Sequence, residues 1–335
     1  MLKAIKRFSK RILFPSKIEI PANNIRNAQL YKRGKERSTT PSNGTKVIGL
    51  MRIRNEANII SFSLRALAQY TDAIIVFDDR SNDGTIEALQ SLKTECKIEA
   101  IVLKRLDKFT ESEDLNQLLQ KGREYGGSHF IVLDADEALT SNFIEDQLLG
   151  KLILGLNPGD TLWLNWIQLW RTTREYRRDE SIWTWNYRPI IFCDDGFSRI
   201  DYELVHATRV PTRSGKQYKL TGFDYGLLHF QFVNWRNLLV KQAWYRCLEK
   251  INLPDKSTDE INARYAPSKD ESDLKTQPAP KEWFAQYPFW EHSIFYKPET
   301  WREIQVLKWF SEFGKDFFED LDIWDIDWDY SKLEK

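Results

Sequence analysis

Acidic side chains occur in pairs directly after two apolar segments of this chain. Asp134 and Asp136 follow the segment HFIVL, and Asp78-Asp79 follows AIIVF. Two carboxylates at positions i and i+2 just past a strand can approach one cation, and oxygen ligands favour Mg²⁺ or Mn²⁺. Such a metal would bridge the phosphates of a nucleotide and neutralise the charge of a leaving diphosphate. The turn at Asp78-Asp79 can accept hydrogen bonds from a nucleobase or a ribose.

The elements that must position these carboxylates alternate regularly between residues 46 and 151. Each predicted strand is almost entirely apolar, which indicates burial on both faces and is typical of a parallel sheet covered by helices on both sides. We therefore predict an α/β fold with a doubly wound, mostly parallel sheet. The predicted strands cover 46–53, 73–78, 97–103 and 129–134, and the predicted helices cover 56–70, 81–93, 111–122 and 141–151.

Candidate binding residues follow the predicted strands, because open α/β sheets bind ligands outside the carboxyl ends of their strands. Six carboxylates and three arginines converge at this edge. Close carboxylates repel one another at low effective dielectric constant, and a divalent cation with polar ligand contacts would relieve that repulsion. The residues are Arg52, Arg54, Asn55 and Glu56 after the first strand, Asp78, Asp79 and Arg80 after the second, and Asp134, Asp136 and Glu137 after the fourth.

The pattern changes after residue 155, where we expect a mixed extension of the sheet and C-terminal helices. The polar stretch 32–44 predicts a linker. The predicted strands cover 160–172, 181–192 and 225–233, the predicted helices 235–250 and 301–313, and a predicted loop 254–282. The predicted divisions are 1–44, a basic extension; 45–155, the half that carries the acidic pairs; 156–250, the opposite half of the site; and 251–335, an acidic segment of loop and helices.

Composition excludes several classes of protein. The 335 residues include 49 Lys and Arg and 49 Asp and Glu, and 41% are hydrophobic. This balance argues against a nucleic-acid binder and against a mainly disordered chain. No apolar run reaches the length of a transmembrane helix. The three cysteines have no CxxC spacing, which argues against a disulfide framework and predicts a cytoplasmic location.

Residues 1–14 (MLKAIKRFSKRILF) place four apolar side chains at helical spacing, with the basic residues mostly elsewhere on the helix. Two interpretations stay open. The segment is a basic amphipathic helix that lies on an anionic membrane surface, which would make the protein peripheral at the inner face of the membrane. Alternatively, it is a solvated terminus or a helix packed on its own domain.

Three segments of the chain resemble the signatures of the GT-A glycosyltransferases of the family 2 type. They are VIGLMRIRNEANII, IIVFDDRSNDGT and FIVLDADE, in the order and at the spacings of that family, and the resemblance covers about 45–235. It implies a GT-A-like fold and an inverting transfer from a nucleotide sugar, with UDP-sugars as the first candidates. It also implies a glycan or a lipid-linked sugar as the acceptor and a place in polysaccharide biosynthesis.

The resemblance also assigns roles to residues of this sequence. His229, in the segment LHFQ, is implied to be a third metal ligand or a diphosphate contact. The alternative for His229 is a half-buried histidine that is satisfied within the fold. The nucleoside pocket is implied for Asn55, Glu56, Asp78 and Asp79, with Arg52 and Arg54 beside them, and ribose and Mn²⁺ or Mg²⁺ with its diphosphate for Asp134 and Asp136.

Two positions depart from the family pattern. An Arg-Asn pair expected before the fourth strand is Leu115-Asn116 here, which leaves Asn116 as the predicted donor contact. A His-Glu pair expected later in the chain is His206-Ala207, so the usual general base is absent. An inverting reaction still needs a group that removes the proton of the acceptor hydroxyl. The candidates are Glu203 first and Asp224 next, with Asp195 and Asp201 also available, and His206 as an acceptor-orienting group or the base itself.

Tryptophans cluster in the half of the chain where an acceptor would bind. The apolar faces of sugars pack well on indole rings, whereas simple core filling is expected for at least half of this cluster. Trp166 and Trp170 share one face of the predicted strand, and with Trp185 they are the predicted acceptor-binding residues.

Two other functions fit parts of the sequence. A non-catalytic carbohydrate-binding protein on a decayed transferase scaffold is consistent with alanine at position 207. A phosphohydrolase of the haloacid dehalogenase type is suggested by LDADEALT. That motif normally follows the first strand of its fold, however, and its Thr or Val is alanine here.

Overall fold

The computed structural model describes residues 23–38, 44–105, 110–203, 206–211, 215–298 and 300–334. The predicted helix over 1–14 lies outside these residues. The described chain divides into two compact units. The larger unit comprises 23–233 and 275–297, and the smaller unit includes 234–274 and 298–334. Within the described residues, no helix is both long enough and apolar enough to span a bilayer.

The larger unit contains a mixed sheet and its covering helices. Its strands are β1 Val47–Ile53, β2 Ala73–Asp78, β3 Ile98–Leu103, β4 His129–Asp134, β5 Glu137–Leu139, β6 Thr161–Gln168, β7 Glu175–Arg177, β8 Tyr187–Cys193, β9 Gln217–Leu220, β10 Leu227–His229 and β11 Thr276–Pro278. Its helices are α1 Asn23–Ser38, α2 Ile60–Ala68, α3 Thr85–Leu92, α4 Glu111–Glu124, α5 Asn142–Glu145 and α6 Leu148–Gly155.

The strand order of the main sheet is β3-β2-β1-β4-β8-β6-β10-β5, and β9 pairs with β6. The first four strands are mutually parallel. Strand β8 runs antiparallel to both β4 and β6, while β10 is parallel to β6 and antiparallel to β5. This arrangement confirms the predicted α/β class, with a parallel first half and a mixed extension.

Alternate residues of the parallel strands point to opposite faces, and each face is covered by its own helices. On one face, Met51 and Val76 pack in a core with Leu64 of α2. On the other face, Leu50 and Phe77 pack with helix α4. Burial on both faces explains why these strands are apolar along most of their length.

Several predicted segments differ in the structure. Helix α2 begins at Ile60 rather than at 56, because a turn with Asn55 at φ +55° precedes it. The helix predicted over 141–151 is divided into α5 and α6 at Gln147, which has φ +50°. The stretch predicted as a linker is helical to Ser38, and Arg37 donates hydrogen bonds to the carbonyl groups at the end of α6.

The smaller unit contains helices α7 Trp235–Asn252, α8 Thr258–Tyr265 and α9 Trp301–Phe313. Helix α8 lies in the stretch predicted as a loop, and a capping box of Ser257 and Glu260 begins it. The acidic C-terminal segment packs within this unit. Trp324 stacks on Phe310 of α9 with 5.2 Å between ring centroids.

Candidate functional site

The parallel register brings the motif residues to one edge of the sheet. Ile53 pairs with Asp78 of β2, and Arg52 pairs with Asp134 of β4 on the other side of β1. The ends of three neighbouring strands therefore carry Arg52, Asp78 and Asp134 side by side. This is the convergence that the sequence predicted, and it lies where open α/β sheets bind ligands.

The turn after β1 is fastened to the turn after β2 by side chain–backbone hydrogen bonds. The backbone N–H of Asn55 donates to Ser81 Oγ at 2.8 Å, and Asn55 Oδ1 accepts from the N–H of Asn82 at 2.7 Å. The N–H of Glu56 donates to Thr85 Oγ1 at 2.8 Å. Asn55 and Glu56 thus lie at the predicted pocket, and these bonds hold its two walls together.

Asp79 is fully buried and surrounded by basic groups. Burying a carboxylate is tolerated only where opposite charges and hydrogen bonds compensate it. The compensating atoms are Arg80 Nε at 3.0 Å, Arg52 Nη2 at 3.1 Å, Arg54 Nη1 at 3.9 Å and Lys104 Nζ at 3.9 Å. Arg52 also reaches the buried carboxylate of Asp114 at 3.0 Å. Asp79, Arg52 and Arg54 therefore form an ion-pair network that supports the edge of the sheet.

Asp78 is buried but only partly hydrogen-bonded. Its Oδ2 accepts a hydrogen bond from the N–H of Ser81 at 2.9 Å. Among the described residues, no group donates a hydrogen bond to Oδ1, which is also shielded from solvent. Burial raises the pKa of Asp78 against the opposing effect of the Ser81 hydrogen bonds. A buried acceptor without a donor is costly, and a ligand N–H or O–H at this position would satisfy it.

Asp134 is held by an arginine that the sequence did not indicate. Arg209 Nη2 lies 2.5 Å from Asp134 Oδ2, and the same guanidinium donates to both oxygens of the buried Glu137 at 2.6 and 2.8 Å. The backbone N–H of Asp134 also donates to Glu137 at 2.9 Å. Burial raises the pKa of Glu137 to about 7, although the charge of Arg209 acts to lower it.

Asp136 and His229 form a second pair, with 3.6 Å between Asp136 Oδ2 and His229 Nε2. The opposite ring nitrogen of His229, Nδ1, lies 2.6 Å from Gln168 Oε1. The amide of Gln168 is oriented by its Nε2, which donates to the carbonyl of Trp166 at 2.9 Å. With Oε1 of Gln168 facing the ring, Nδ1 of His229 donates this hydrogen bond, and Nε2 faces Asp136.

The side chains at this edge supply part of a metal-ligand set. Within the part of the chain that the structure describes, no three His, Cys, Asp or Glu side chains are arranged around a common metal position. The pair of Asp136 and His229 offers an oxygen and a nitrogen ligand, and Gln168 orients the imidazole as partners of metal-bound histidines do. Asp134, the third predicted ligand, is paired with Arg209 instead. The residues therefore fit a cation that takes its remaining ligands from a bound substrate.

Trp166 lies at the centre of these groups rather than on an open surface. Its ring stacks on that of His229 at 4.1 Å, and the guanidinium of Arg188 lies 4.3 Å from the ring centroid. Its Nε1 donates to Glu137 at 2.7 Å. With 7% of its surface exposed, Trp166 offers no ring face to a sugar, so its assignment as an acceptor-binding residue is not supported.

The other two tryptophans differ from each other in exposure. Trp170 is buried, stacked on Phe232 at 4.5 Å and covered by the guanidinium of Arg177 at 4.4 Å, so it also offers no open face. Trp185 is 42% exposed and stays a predicted acceptor contact. Trp166 and Trp170 are therefore core residues, and Trp185 is the one of the three predicted acceptor contacts with an exposed ring.

The predicted base and its neighbours lie on a segment that contacts the start of α4. The N–H of Glu203 donates to Ser112 Oγ at 3.1 Å, and the amide of Asn116 exchanges two hydrogen bonds of 2.9 Å with the backbone of Ile200. Asn116 therefore fastens this segment, and its predicted contact with a donor stays a prediction. Glu203 is exposed.

The alternatives to Glu203 lie in different surroundings. His206 is exposed and has φ +60°. Asp224 is also exposed, and its carbonyl accepts from Asn142 at the start of α5. Asp195 accepts hydrogen bonds from its own turn at Phe197 and Ser198. Their roles as base or orienting group stay predictions.

Three residues of the site were missed by sequence reasoning. Arg209 and Arg188 carry no motif, and only the fold brings them to Asp134 and Trp166. Glu111 begins α4, and its Oε2 accepts from the N–H of Ala207 at 3.4 Å. Burial raises the pKa of Glu111, with Arg52 opposing and Asp134 reinforcing the shift. The one sequence feature that could have identified Glu111 is its position at the start of the helix that follows β3.

Comparison with known proteins gives one family match. Residues 50–150 match the family model described as Glycosyl transferase family 2. No curated protein sequence matches the chain. The solved structures that are similar include S. aureus TarS 1-349, at 13% identity and a TM-score of 0.38, with 83% of this chain and 81% of that chain covered.

A second similar structure is the mannosyltransferase PcManGT from Pyrobaculum calidifontis in complex with GDP-Man and Mn²⁺. It has 19% identity and a TM-score of 0.28, with 50% of this chain and 48% of that chain covered. The family match covers the three motifs that meet at the edge of the sheet. It confirms the resemblance that those motifs carry, because residues 50–150 match the model of glycosyltransferase family 2.

Proposed function

We propose that this protein transfers a sugar from a nucleotide-diphosphate sugar to a glycan or a lipid-linked acceptor. The observation that carries the proposal is the meeting of Asp78, Asp134 and Asp136 at one edge of the parallel sheet, inside the segment that matches the family. The same match favours a transferase over a phosphohydrolase of the haloacid dehalogenase type.

The nucleoside of the donor binds at the turns after β1 and β2. Asp78 Oδ1 is a buried acceptor that lacks a donor among the described residues, and a base N–H or a ribose O–H would supply one. Asn55 and Glu56 hold the neighbouring turn. UDP-sugars are the first donors to test, as the resemblance implied.

Asp136 and His229 would hold a Mn²⁺ or Mg²⁺ ion. Such an ion would neutralise negative charge on the diphosphate as it leaves. Asp134, fixed by Arg209 and Glu137, lies next to this pair in sequence and faces the ribose in the proposed complex. Oxygen atoms of the diphosphate would complete the ligand set, which accounts for the small number of ligands that the protein supplies.

Glu203 is the proposed general base. It removes the proton of the acceptor hydroxyl while that oxygen forms a bond to the anomeric carbon. The bond from the anomeric carbon to the diphosphate oxygen breaks, and its electron pair leaves with the diphosphate. Attack from the opposite side inverts the anomeric configuration. The exposed ring of Trp185 is the proposed acceptor contact, because an indole face packs well against a sugar.

Thermal stabilisation by UDP, GDP, CMP and dTDP, each with and without Mn²⁺, tests the proposal. A ligand at about 100 times its Kd should stabilise by about 2.7 kcal/mol. We expect one nucleotide to stabilise the wild type in a Mn²⁺-dependent manner and to lose that dependence in Asp136→Asn. Glu95→Gln, which removes an exposed partner of Arg65, is the matched control and should respond like the wild type.

Hydrolysis and transfer assays with the corresponding nucleotide sugar then follow. Glu203→Gln should lower kcat by about 10²–10⁴-fold without changing nucleotide binding, because it removes only the base. An absence of stabilisation by every nucleotide would overturn the proposal and favour a non-catalytic carbohydrate-binding protein.

A further inference from the structure

Arg188 lies beside the carboxylates of the site, on a different strand. In the antiparallel pairing of β4 with β8, His129 pairs with Cys193 and Ile131 with Ile191. Arg188 lies near the start of β8, and its guanidinium is 4.3 Å from the ring centroid of Trp166, whose Nε1 donates a hydrogen bond to Glu137. In the sheet, Arg188 pairs with Leu164 of β6. Its side chain therefore belongs to the same edge as the acidic motif.

The charge of Arg188 is not matched by a carboxylate. Its guanidinium lies over the ring of Trp166 at 4.3 Å, and its Nε is buried without a hydrogen-bond partner. Among the described residues, no carboxylate lies within ion-pair distance of Arg188. Arg209 and Arg52 at the same edge each contact two carboxylates. Arg188 thus differs from the two arginines Arg52 and Arg209, whose charges are paired with carboxylates.

Arg188 nevertheless carries a full positive charge at neutral pH. Burial lowers the pKa of its guanidinium to about 10, and the charge of Arg209 acts in the same direction, whereas the charges of Glu137 and Asp134 act to raise it. A buried cation that neighbours a second cation is unfavourable unless an anion joins them. The planar guanidinium presents paired N–H donors that match the oxygens of a phosphate group.

We propose that Arg188 is a phosphate-binding residue, which contacts the diphosphate of the donor at the edge of the sheet where Asp134 and Asp136 lie. This inference rests on the proposed function. The ring of Trp166 contacts both His229 and Arg188: it stacks on His229, and the guanidinium of Arg188 lies over it. A guanidinium in this position stabilises the negative charge that develops on the diphosphate as the bond to the sugar breaks.

The test compares a nucleoside diphosphate with the nucleoside alone, by calorimetric titration of the full chain. The nucleotide is the one that stabilises the wild type. Arg188→Gln should weaken binding of the diphosphate by at least tenfold and leave binding of the nucleoside unchanged. Arg188→Lys keeps the charge but loses the paired donors. Its affinity for the diphosphate should lie between those of the wild type and Arg188→Gln. Inorganic pyrophosphate is a third probe and should follow the diphosphate.

Arg178→Gln is the matched control. Its guanidinium also lies over a tryptophan, Trp185, at 4.7 Å, and over Phe223 at 4.2 Å. It should bind the nucleoside diphosphate within about twofold of the wild type. Arg188→Gln should also unfold at the same temperature as the wild type or higher, because it removes an unmatched buried charge. A merely structural arginine would destabilise the fold when replaced.

The outcomes separate the two proposals. Equal weakening of nucleoside and diphosphate, or no weakening of either, would overturn the role of Arg188 while the transferase proposal stands. A wild type that binds no nucleotide would overturn the transferase proposal. In that case, pyrophosphate binding would still test the role of Arg188. A phosphate site requires that the wild type binds pyrophosphate and that Arg188→Gln does not. If Arg188→Gln binds a phosphorylated acceptor more weakly and the nucleotide as well as the wild type does, Arg188 binds a phosphate of the acceptor. That result would overturn the assignment of Arg188 to the donor.

Discussion

Replacement of Trp166 by phenylalanine tests whether this residue supports the site or binds a sugar. Phenylalanine cannot donate the hydrogen bond of 2.7 Å to the buried carboxylate of Glu137. Removing the donor of a hydrogen bond to a buried acceptor costs about 1–3 kcal/mol. The smaller ring also buries less apolar surface, which adds about 1 kcal/mol. We therefore expect Trp166→Phe to lower the free energy of unfolding by about 3 kcal/mol.

Trp185→Phe is the control for the same substitution. Trp185 is 42% exposed and lies edge-on to Phe223 at 5.0 Å, so the change should cost less than about 1 kcal/mol. Both variants are measured by urea denaturation with circular dichroism. Trp185→Phe should instead raise the KM for an acceptor. Equal losses of stability in the two variants would contradict the structural role of Trp166. So would a Trp166→Phe variant that is as stable as the wild type and differs only in weaker acceptor binding.

Other predictions concern charge and the N-terminal segment. Asp78→Asn should raise the free energy of unfolding of the ligand-free protein at neutral pH, because the raised pKa of Asp78 means that its ionised form is disfavoured in the fold. The same variant should lose nucleotide binding in calorimetry. Glu303 in the smaller unit has its pKa lowered to about 2, since hydrogen bonds from two basic side chains outweigh burial. Its contribution of about 3 kcal/mol should be present above pH 4.5 and lost as the pH falls towards 2, and an acid titration of Glu303→Gln should lack this loss. Asp136→Ala should abolish turnover while circular dichroism stays unchanged, and retained activity would contradict the metal assignment. Deletion of residues 2–14 should release the protein from anionic vesicles in a sedimentation assay, whereas unchanged binding would exclude the membrane-anchor interpretation.

Local sequence was a good guide to the first half of the sheet. Strands β2 and β4 have the predicted bounds, and helix α9 is also as predicted. These elements are strongly patterned, and their burial follows from their own residues. Helix α8 was missed because its capping box lies in a polar stretch with few apolar residues, where the periodicity that reveals an amphipathic helix is weak.

The sequence also predicted the edge of the sheet at which the acidic residues meet, because parallel strands align their carboxyl ends whatever the contacts between side chains are. It could not predict which carboxylates are available to a ligand. Asp79 is enclosed by basic residues, whereas Asp78, its neighbour, keeps an unsatisfied oxygen. Adjacent residues of a chain differ in this way because their side chains point to opposite sides of the backbone.

The amino-acid sequence by itself thus determined the α/β class, the order of the motif segments and their family. Tertiary structure alone decided how the charges of the site are balanced. Arg209 reaches Asp134 across 75 positions of the chain, and Arg188 reaches Trp166 from a neighbouring strand. Contacts between residues so far apart depend on strand order and register, which a local pattern of residue types does not encode.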